Sequence, residues 1–264
     1  MIGQGSATRR LPGLPGVVNR KWVVKPRPVT SPDVRVICFP HAGAGAAVFM
    51  GWVDQLPPTA ELCAIRFPGR ENRLDEPLID DLPSLVDRLG AVLSPLLDRP
   101  FVLFGHCSGS LVAFELARWL RAHKRPQPDL LVVSSIEAPA LHPVAAPLHQ
   151  LPRDELIHQV AEFGGLPPQV LEDPEMRDMV EPALRSDTRM AESADYVEEP
   201  PLEVPITVIG GLRDHLVSLE SMAAWRWETS CRFSLHMLPV GHFVLDPAVA
   251  LMRHELRDLE EKRG

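Results

Sequence analysis

Phe101-Val102-Leu103-Phe104-Gly105-His106-Cys107-Ser108-Gly109, running on into Ser110-Leu111-Val112-Ala113-Phe114-Glu115-Leu116-Ala117-Arg118-Trp119-Leu120, decides the fold. Phe101 to Phe104 is a short apolar run ended by glycine, which reads as a buried strand. From Ser108 to Leu120 the apolar residues Leu111, Val112, Ala113, Phe114, Leu116, Trp119 and Leu120 nearly encircle a helical axis. A helix apolar on most sides belongs deep in a fold. The five residues between strand and helix have the Gly-x-nucleophile-x-Gly spacing of a strand–turn–helix nucleophile elbow. Such a turn strains the backbone of its nucleophile, and small residues two before and two after let the helix approach the strand. Cys107 holds the nucleophile position. Ser108 cannot replace it, because the flanking positions would then be His106 and Ser110. The purely structural alternative is a small buried thiol at a tight turn.

Outward from the elbow, Val34–Phe39, Glu61–Phe67, Leu130–Ser134, Ile206–Ile209 and Phe233–Leu238 read as further strands, with Trp22–Val24 as an edge strand closed by Pro26 and Pro28. Leu82 to Leu97 is apolar at 82, 85, 86, 89, 92, 93, 96 and 97, the spacing of an amphipathic helix, and a last such helix runs from about Pro247 to Leu259. Alternating strands and helices predict an α/β fold: a mostly parallel sheet with helices on both faces. Residues 1–20 carry no periodicity and read as a loose leader before one domain over 21–264. Residues 139–201 break the rhythm with prolines and short helical patterns at Arg153–Phe163 and Pro174–Arg185. Ordinary connections in such units take ~2–6 residues, so this stretch is expected to be an inserted helical lid, with plain peripheral helices as the alternative.

Composition narrows the class. At 264 residues and 45% hydrophobic the chain is globular and long enough for one α/β domain. The net charge of −8 argues against a nucleic-acid partner. No apolar run approaches the ~18 residues of a membrane span, and the N-terminal residues lack a secretory pattern, so a cytoplasmic location is expected. Cys38, Cys63, Cys107 and Cys231 are far apart, implying neither a disulfide framework nor a zinc site.

A nucleophile needs a base and an orienting acid, and elbow folds supply them in the order nucleophile, acid, histidine. Asp214 follows the strand Pro205-Ile206-Thr207-Val208-Ile209-Gly210, and His242 follows Phe233–Leu238, each in a loop leaving the carboxyl end of a strand. Sites on open α/β sheets lie at those ends. The third requirement is an oxyanion hole. The loop Phe39-Pro40-His41-Ala42-Gly43-Ala44-Gly45 offers small residues with exposed N–H groups, so Ala42 is expected to give one donor and Ser108, just after the nucleophile, the other. His41 reads as a hydrogen-bonding structural residue rather than a ligand or base.

Phe39-Pro40-His41-Ala42-Gly43, Arg66-Phe67-Pro68-Gly69-Arg70-Glu71, Gly105-His106-Cys107-Ser108-Gly109 and Val240-Gly241-His242-Phe243 together resemble the type II thioesterases of polyketide and nonribosomal peptide assembly lines. The resemblance covers the chain from about residue 22 onward. It implies an α/β-hydrolase fold, a helical lid, and an acyl chain delivered as a thioester on the phosphopantetheine arm of an acyl or peptidyl carrier protein. No metal, nucleotide or redox cofactor is implied, and a monomer is expected. Arg66 and Arg70 match the family's arginine-rich loop, where ion pairing is the expected role. The departure is Cys107, where the editing enzymes carry serine; a stand-alone cysteine variant resembles the Dieckmann cyclases that release tetramic acids or pyridones.

A thiolate activated by His242 is a strong nucleophile toward a thioester, and the acyl-Cys107 product stays more activated than an oxygen ester. In a β-ketoacyl-aminoacyl chain the carbon between two carbonyls is acidic, so His242 could remove its proton and the enolate could close a tetramate ring. The leading expectation is therefore a Dieckmann cyclase. A hydrolytic editing thioesterase is the alternative, and a catalytically silent carrier-protein binder is the reading from a different class.

Overall fold

The structure, a computed structural model, describes residues 19–141 and 147–262. The expected leader lies outside the described residues except for Asn19 and Arg20. Seven strands form one sheet: β1 (Val23–Val24), β2 (Val34–Phe39), β3 (Ala60–Ile65), β4 (Phe101–His106), β5 (Leu130–Ser134), β6 (Ile206–Gly211) and β7 (Phe233–Leu238), in the spatial order β1-β3-β2-β4-β5-β6-β7. Only the short edge strand β1 is antiparallel, pairing Val23 with Ile65; every other neighbour is parallel. Alternate residues face opposite layers, as the two-residue strand period requires. Ile37, Phe39 and Leu103 enter one core with Leu85, Leu89 and Phe114, whereas Val36, Cys38 and Phe104 enter the other with Trp52, Met252 and Leu256.

The first core is built against α1 (Leu82–Leu93) and α2 (Ser108–Ala122). Asp81 caps α1 by accepting the Ser84 N–H at 2.7 Å. The amphipathic pattern reaches Leu97, but the α-helix stops at Leu93 and tightens into a 3-10 turn over Ser94–Leu96. Pro95 has no N–H to continue the α ladder.

Between β5 and β6 come α3 (Arg153–Glu162), α4 (Pro168–Glu172) and α5 (Pro174–Glu192). Asp173 caps α5 through the Glu175 and Met176 N–H groups. The helix passes Pro182 and extends beyond the expected Arg185, because its last turns bury Leu184, Asp187, Thr188 and Ala191 against the body. After β6 a short helix α6 (Leu219–Ala223), which the sequence pattern does not announce, leads to β7, and α7 (Leu245–Glu261) closes the chain over the second core. Among the described residues no helix is long and apolar enough to cross a membrane.

The topology locates the site. After β2 the chain moves outward to β3; after β4 it moves the opposite way to β5. The loops leaving β2 and β4 therefore diverge, opening a crevice at their carboxyl ends. One of these loops holds Ala42 and the other Cys107.

Candidate active site

Cys107 sits between β4 and α2 with φ 50° and ψ −124°, a left-handed conformation that costs a non-glycine residue of order 1–3 kcal/mol. The surrounding structure holds it there. Its N–H donates to the Ser134 carbonyl at 2.8 Å, and its carbonyl accepts the Ser110 N–H at 2.8 Å. Ser110 Oγ accepts the Ser134 N–H at 3.0 Å, while Ser134 Oγ donates to the Gly105 carbonyl at 2.9 Å. The two glycines have a measurable reason: a Cβ on Gly105 would lie 2.3 Å from Ser110 Cα, and one on Gly109 would lie 2.3 Å from the Phe39 carbonyl oxygen. Cys107 is partly accessible, unlike the buried Cys38 and Cys63; Cys231 is exposed but remote in the chain's edge loop before β7.

His242 and Asp214 come together from the loops after β7 and β6. The His242 Nδ1–H donates to Asp214 Oδ2 at 2.9 Å, and Asp214 Oδ1 accepts the N–H groups of Leu216 at 2.8 Å and Val217 at 3.3 Å. Burial raises the Asp214 pKa, but His242 and these N–H donors outweigh it and hold the carboxyl below its ordinary range. With Nδ1 committed to Asp214, Nε2 is the nitrogen left for the hydrogen bond to Cys107. Burial disfavours the imidazolium, yet the hydrogen bonds to Asp214 and Cys107 and their negative charges prevail and push His242 up to about 10. The Ser135 hydroxyl fixes the histidine loop by donating to the His242 carbonyl.

Ala42 lies in a turn closed by the Ala44 N–H donating to the His41 carbonyl at 3.1 Å, with Gly43 at φ 75°. Such a turn requires a residue tolerant of positive φ at its third position. Ala42, Cys107, Ser108 and His242 line one cavity of about 370 Å³. Its far walls are apolar and come partly from the β5–β6 insertion, through Leu148 and Val160, Phe163 just beyond α3, and Leu184. The structure thus gathers every expected site residue: four around the cavity and Asp214 behind His242.

His41 meets the expectation through its backbone and not through ring Nδ1. Its carbonyl takes the turn-closing Ala44 N–H, as a structural hydrogen-bonding residue would, but its ring Nδ1 is buried with no hydrogen-bond partner among the described residues. Its ring instead packs edge-on against Phe243, 4.9 Å between centroids, and against His106 at 5.4 Å. Burial, with the positive charges of His242 and Arg70, lowers its pKa to about 3, so it is a neutral aromatic wall and a poor base. Arg66 pairs with Glu71 and Arg70 with Asp187, the ion-pair roles expected of that loop. Asp187 itself escaped the sequence reading. Its signal was a carboxylate on the same helix face as Leu184 and Ala191, a face that must be buried.

A mostly parallel sheet covered on both faces, with Cys107, Asp214 and His242 at the carboxyl ends of β4, β6 and β7, defines an α/β-hydrolase-fold enzyme that processes acyl thioesters. The chain belongs to the thioesterase-domain family, whose model matches residues 34–256. It is 37% identical over 225 residues to the gramicidin S biosynthesis protein GrsT of Aneurinibacillus migulanus, covering 85% of this chain and 88% of that one. Among solved structures it resembles the type II thioesterase BorB from the borrelidin biosynthetic cluster, at TM-score 0.83 and 31% identity over 90% of this chain and 96% of the other. It also resembles the thioesterase RedJ of the prodiginine pathway in Streptomyces coelicolor, at TM-score 0.80 and 31% identity over 87% and 97%.

Proposed function

We propose that the chain is a type II thioesterase that releases acyl groups from the phosphopantetheine thioester of a carrier protein in a nonribosomal peptide or polyketide assembly line, through an acyl-Cys107 intermediate. The observation that carries this reading is the hydrogen-bonded run Asp214–His242–Cys107 at the wall of an apolar cavity. Relatives named for gramicidin S, borrelidin and prodiginine biosynthesis support the setting.

In the first half-reaction the thiol proton is held on His242 Nε2 and Cys107 Sγ attacks the thioester carbonyl. The Ala42 and Ser108 N–H groups receive the developing oxyanion, where each aimed donor is worth several kcal/mol. Collapse breaks the carbon–sulfur bond to phosphopantetheine, whose thiolate leaves with the proton from His242. Acylation also removes the sulfur's negative charge and its hydrogen bond, two of the influences holding His242 near 10. With its proton gone to the leaving thiol and those influences removed, the imidazole stays neutral and is free to act as the general base. It takes a proton from water, the oxygen adds to the acyl carbon, and the Cys107 thiolate is expelled as the carboxylic acid forms. The helices between β5 and β6 act as the cover over the chain in transit.

One observation favours a second reading. Cys107 presents sulfur where a hydroxyl would give a less activated ester, and an acyl thioester suits attack by carbon. With a β-ketoacyl-aminoacyl chain His242 would take the acidic methylene proton, and the enolate would form the carbon–carbon bond of a tetramic acid or pyridone while the Cys107–acyl bond breaks. Reaction of such a thioester in ¹⁸O water, with a no-enzyme control at matched pH, separates the two. The hydrolytic reading expects a linear acid carrying one solvent oxygen. A cyclic product without solvent oxygen would replace it with Dieckmann condensation.

A further inference from the structure

We propose that Asp187 is a positioning residue that fastens the oxyanion loop to α5, so that the Ala42 N–H is aimed by the same helix that walls the acyl cavity. The clamp is assembled from three segments far apart in sequence. Asp187 is 3% exposed; its Oδ2 accepts the Gly43 N–H at 2.9 Å and its Oδ1 accepts Arg70 Nη2–H at 2.9 Å. Arg70 reaches the same loop from the other side, donating through Nη1 to the Ala44 carbonyl at 3.0 Å, and is itself steadied by the Pro68 carbonyl at 3.2 Å. The peptide carrying the Gly43 N–H is the one that follows Ala42. Tying it to a buried carboxylate fixes the rotation at Ala42, and the His41–Ala44 turn bond fixes the remaining freedom.

The helix also bears on the loop directly. A Cβ on Gly43 would lie 3.2 Å from Leu184 Cδ1, so the loop lies against α5 at van der Waals distance. Leu184, Thr188 and Ala191 line the cavity, while Asp187, on the same stretch of helix, holds the loop. An acyl chain that seats against these residues therefore bears on the element that orients the oxyanion donor. Chain fit and donor alignment are coupled through one helix.

The clamp rests on the acyl-Cys107 reading, and two reactions of the same sulfur test it. Acylation by butyryl-N-acetylcysteamine passes through an oxyanion; alkylation by iodoacetamide does not. In Asp187→Ala the single-turnover acylation rate, read as the protein mass shift, should fall about 10- to 100-fold, approaching the 10²–10³ that loss of a whole donor costs. The alkylation rate should stay within about twofold. Asp187→Asn, which keeps an acceptor oxygen, should recover part of the loss. If Asp187→Ala does not fold, the pair Arg70→Met/Asp187→Leu removes both buried charges together, a replacement that folded proteins tolerate, and is read the same way. Acylation within twofold of wild type, or acylation and alkylation falling in parallel, would overturn the clamp. A wild type that is alkylated but never acylated would overturn the acyl-Cys107 reading and the clamp with it.

Discussion

At the scale of single residues, the chemistry comes down to where one proton sits. Removing Cys107 or neutralising Asp214 takes away some of the influences that raise His242, so that burial, which lowers it, is less opposed. In a histidine NMR titration the His242 midpoint should therefore fall from about 10 in both Cys107→Ala and Asp214→Asn. The linkage has a definite sign. A folded-state pKa raised from 6.5 to about 10 contributes stability that is fully present below pH 6.5 and is lost as pH rises toward 10. Urea unfolding of Cys107→Ala across that window should show a flatter dependence than wild type. His242→Ala should abolish turnover, whereas Asp214→Asn should lower it by about 10²–10⁴-fold and leave a residue of activity, since the acid mainly orients the ring. A normal rate in His242→Ala would break the assignment. The candidate triad residues were readable because the proposed chemistry prescribes both their types and their chain order. His41 and Asp187 were not, because an orphaned ring nitrogen and a buried ion pair depend on partners distant in sequence.

At the scale of elements, the elbow is where sequence and packing agree most closely. Gly109→Ala would place a Cβ 2.3 Å from the Phe39 carbonyl oxygen and 2.5 Å from that of Pro40, both backbone atoms that cannot swing aside. The variant should lose about 1–3 kcal/mol of stability in thermal unfolding, the usual cost of overpacking. Its acylation rate should fall further than stability explains, because the displaced backbone leads into the loop that carries Ala42, the proposed oxyanion donor. A variant equal to wild type in both respects would mean that α2 does not press on β2 as described. Strands and long helices were legible from period-two and 3.6-residue patterns. The stop at Leu93, the run of α5 through Pro182 and the short α6 were less so. Each is decided by a single proline or by tertiary burial, which periodicity does not encode.

For the whole molecule, two cores flank one sheet, and Cys107, Asp214 and His242 stand at its carboxyl edge. Leu256, fully buried on α7, belongs to the core away from the α1–α2 layer. Leu256→Ala should cost about 2–5 kcal/mol in denaturant unfolding yet retain turnover at temperatures where it remains folded, separating stability from chemistry. Loss of turnover in the folded variant would instead tie that core to the site. The crevice between diverging loops could be foreseen in kind from strand–helix alternation, but the order β3-β2-β4 that opens it is a property of the assembled sheet. The central claim is acyl transfer to Cys107, and intact-protein mass spectrometry with peptide mapping tests it most directly. Brief exposure to an acyl thioester, in a Cys231→Ser background that removes the exposed thiol, should add one acyl group, map it to the peptide containing Cys107, and vanish in Cys107→Ala together with thiol release. Thiol release at the wild-type rate from Cys107→Ala, or an acyl group mapped to another residue, would contradict it.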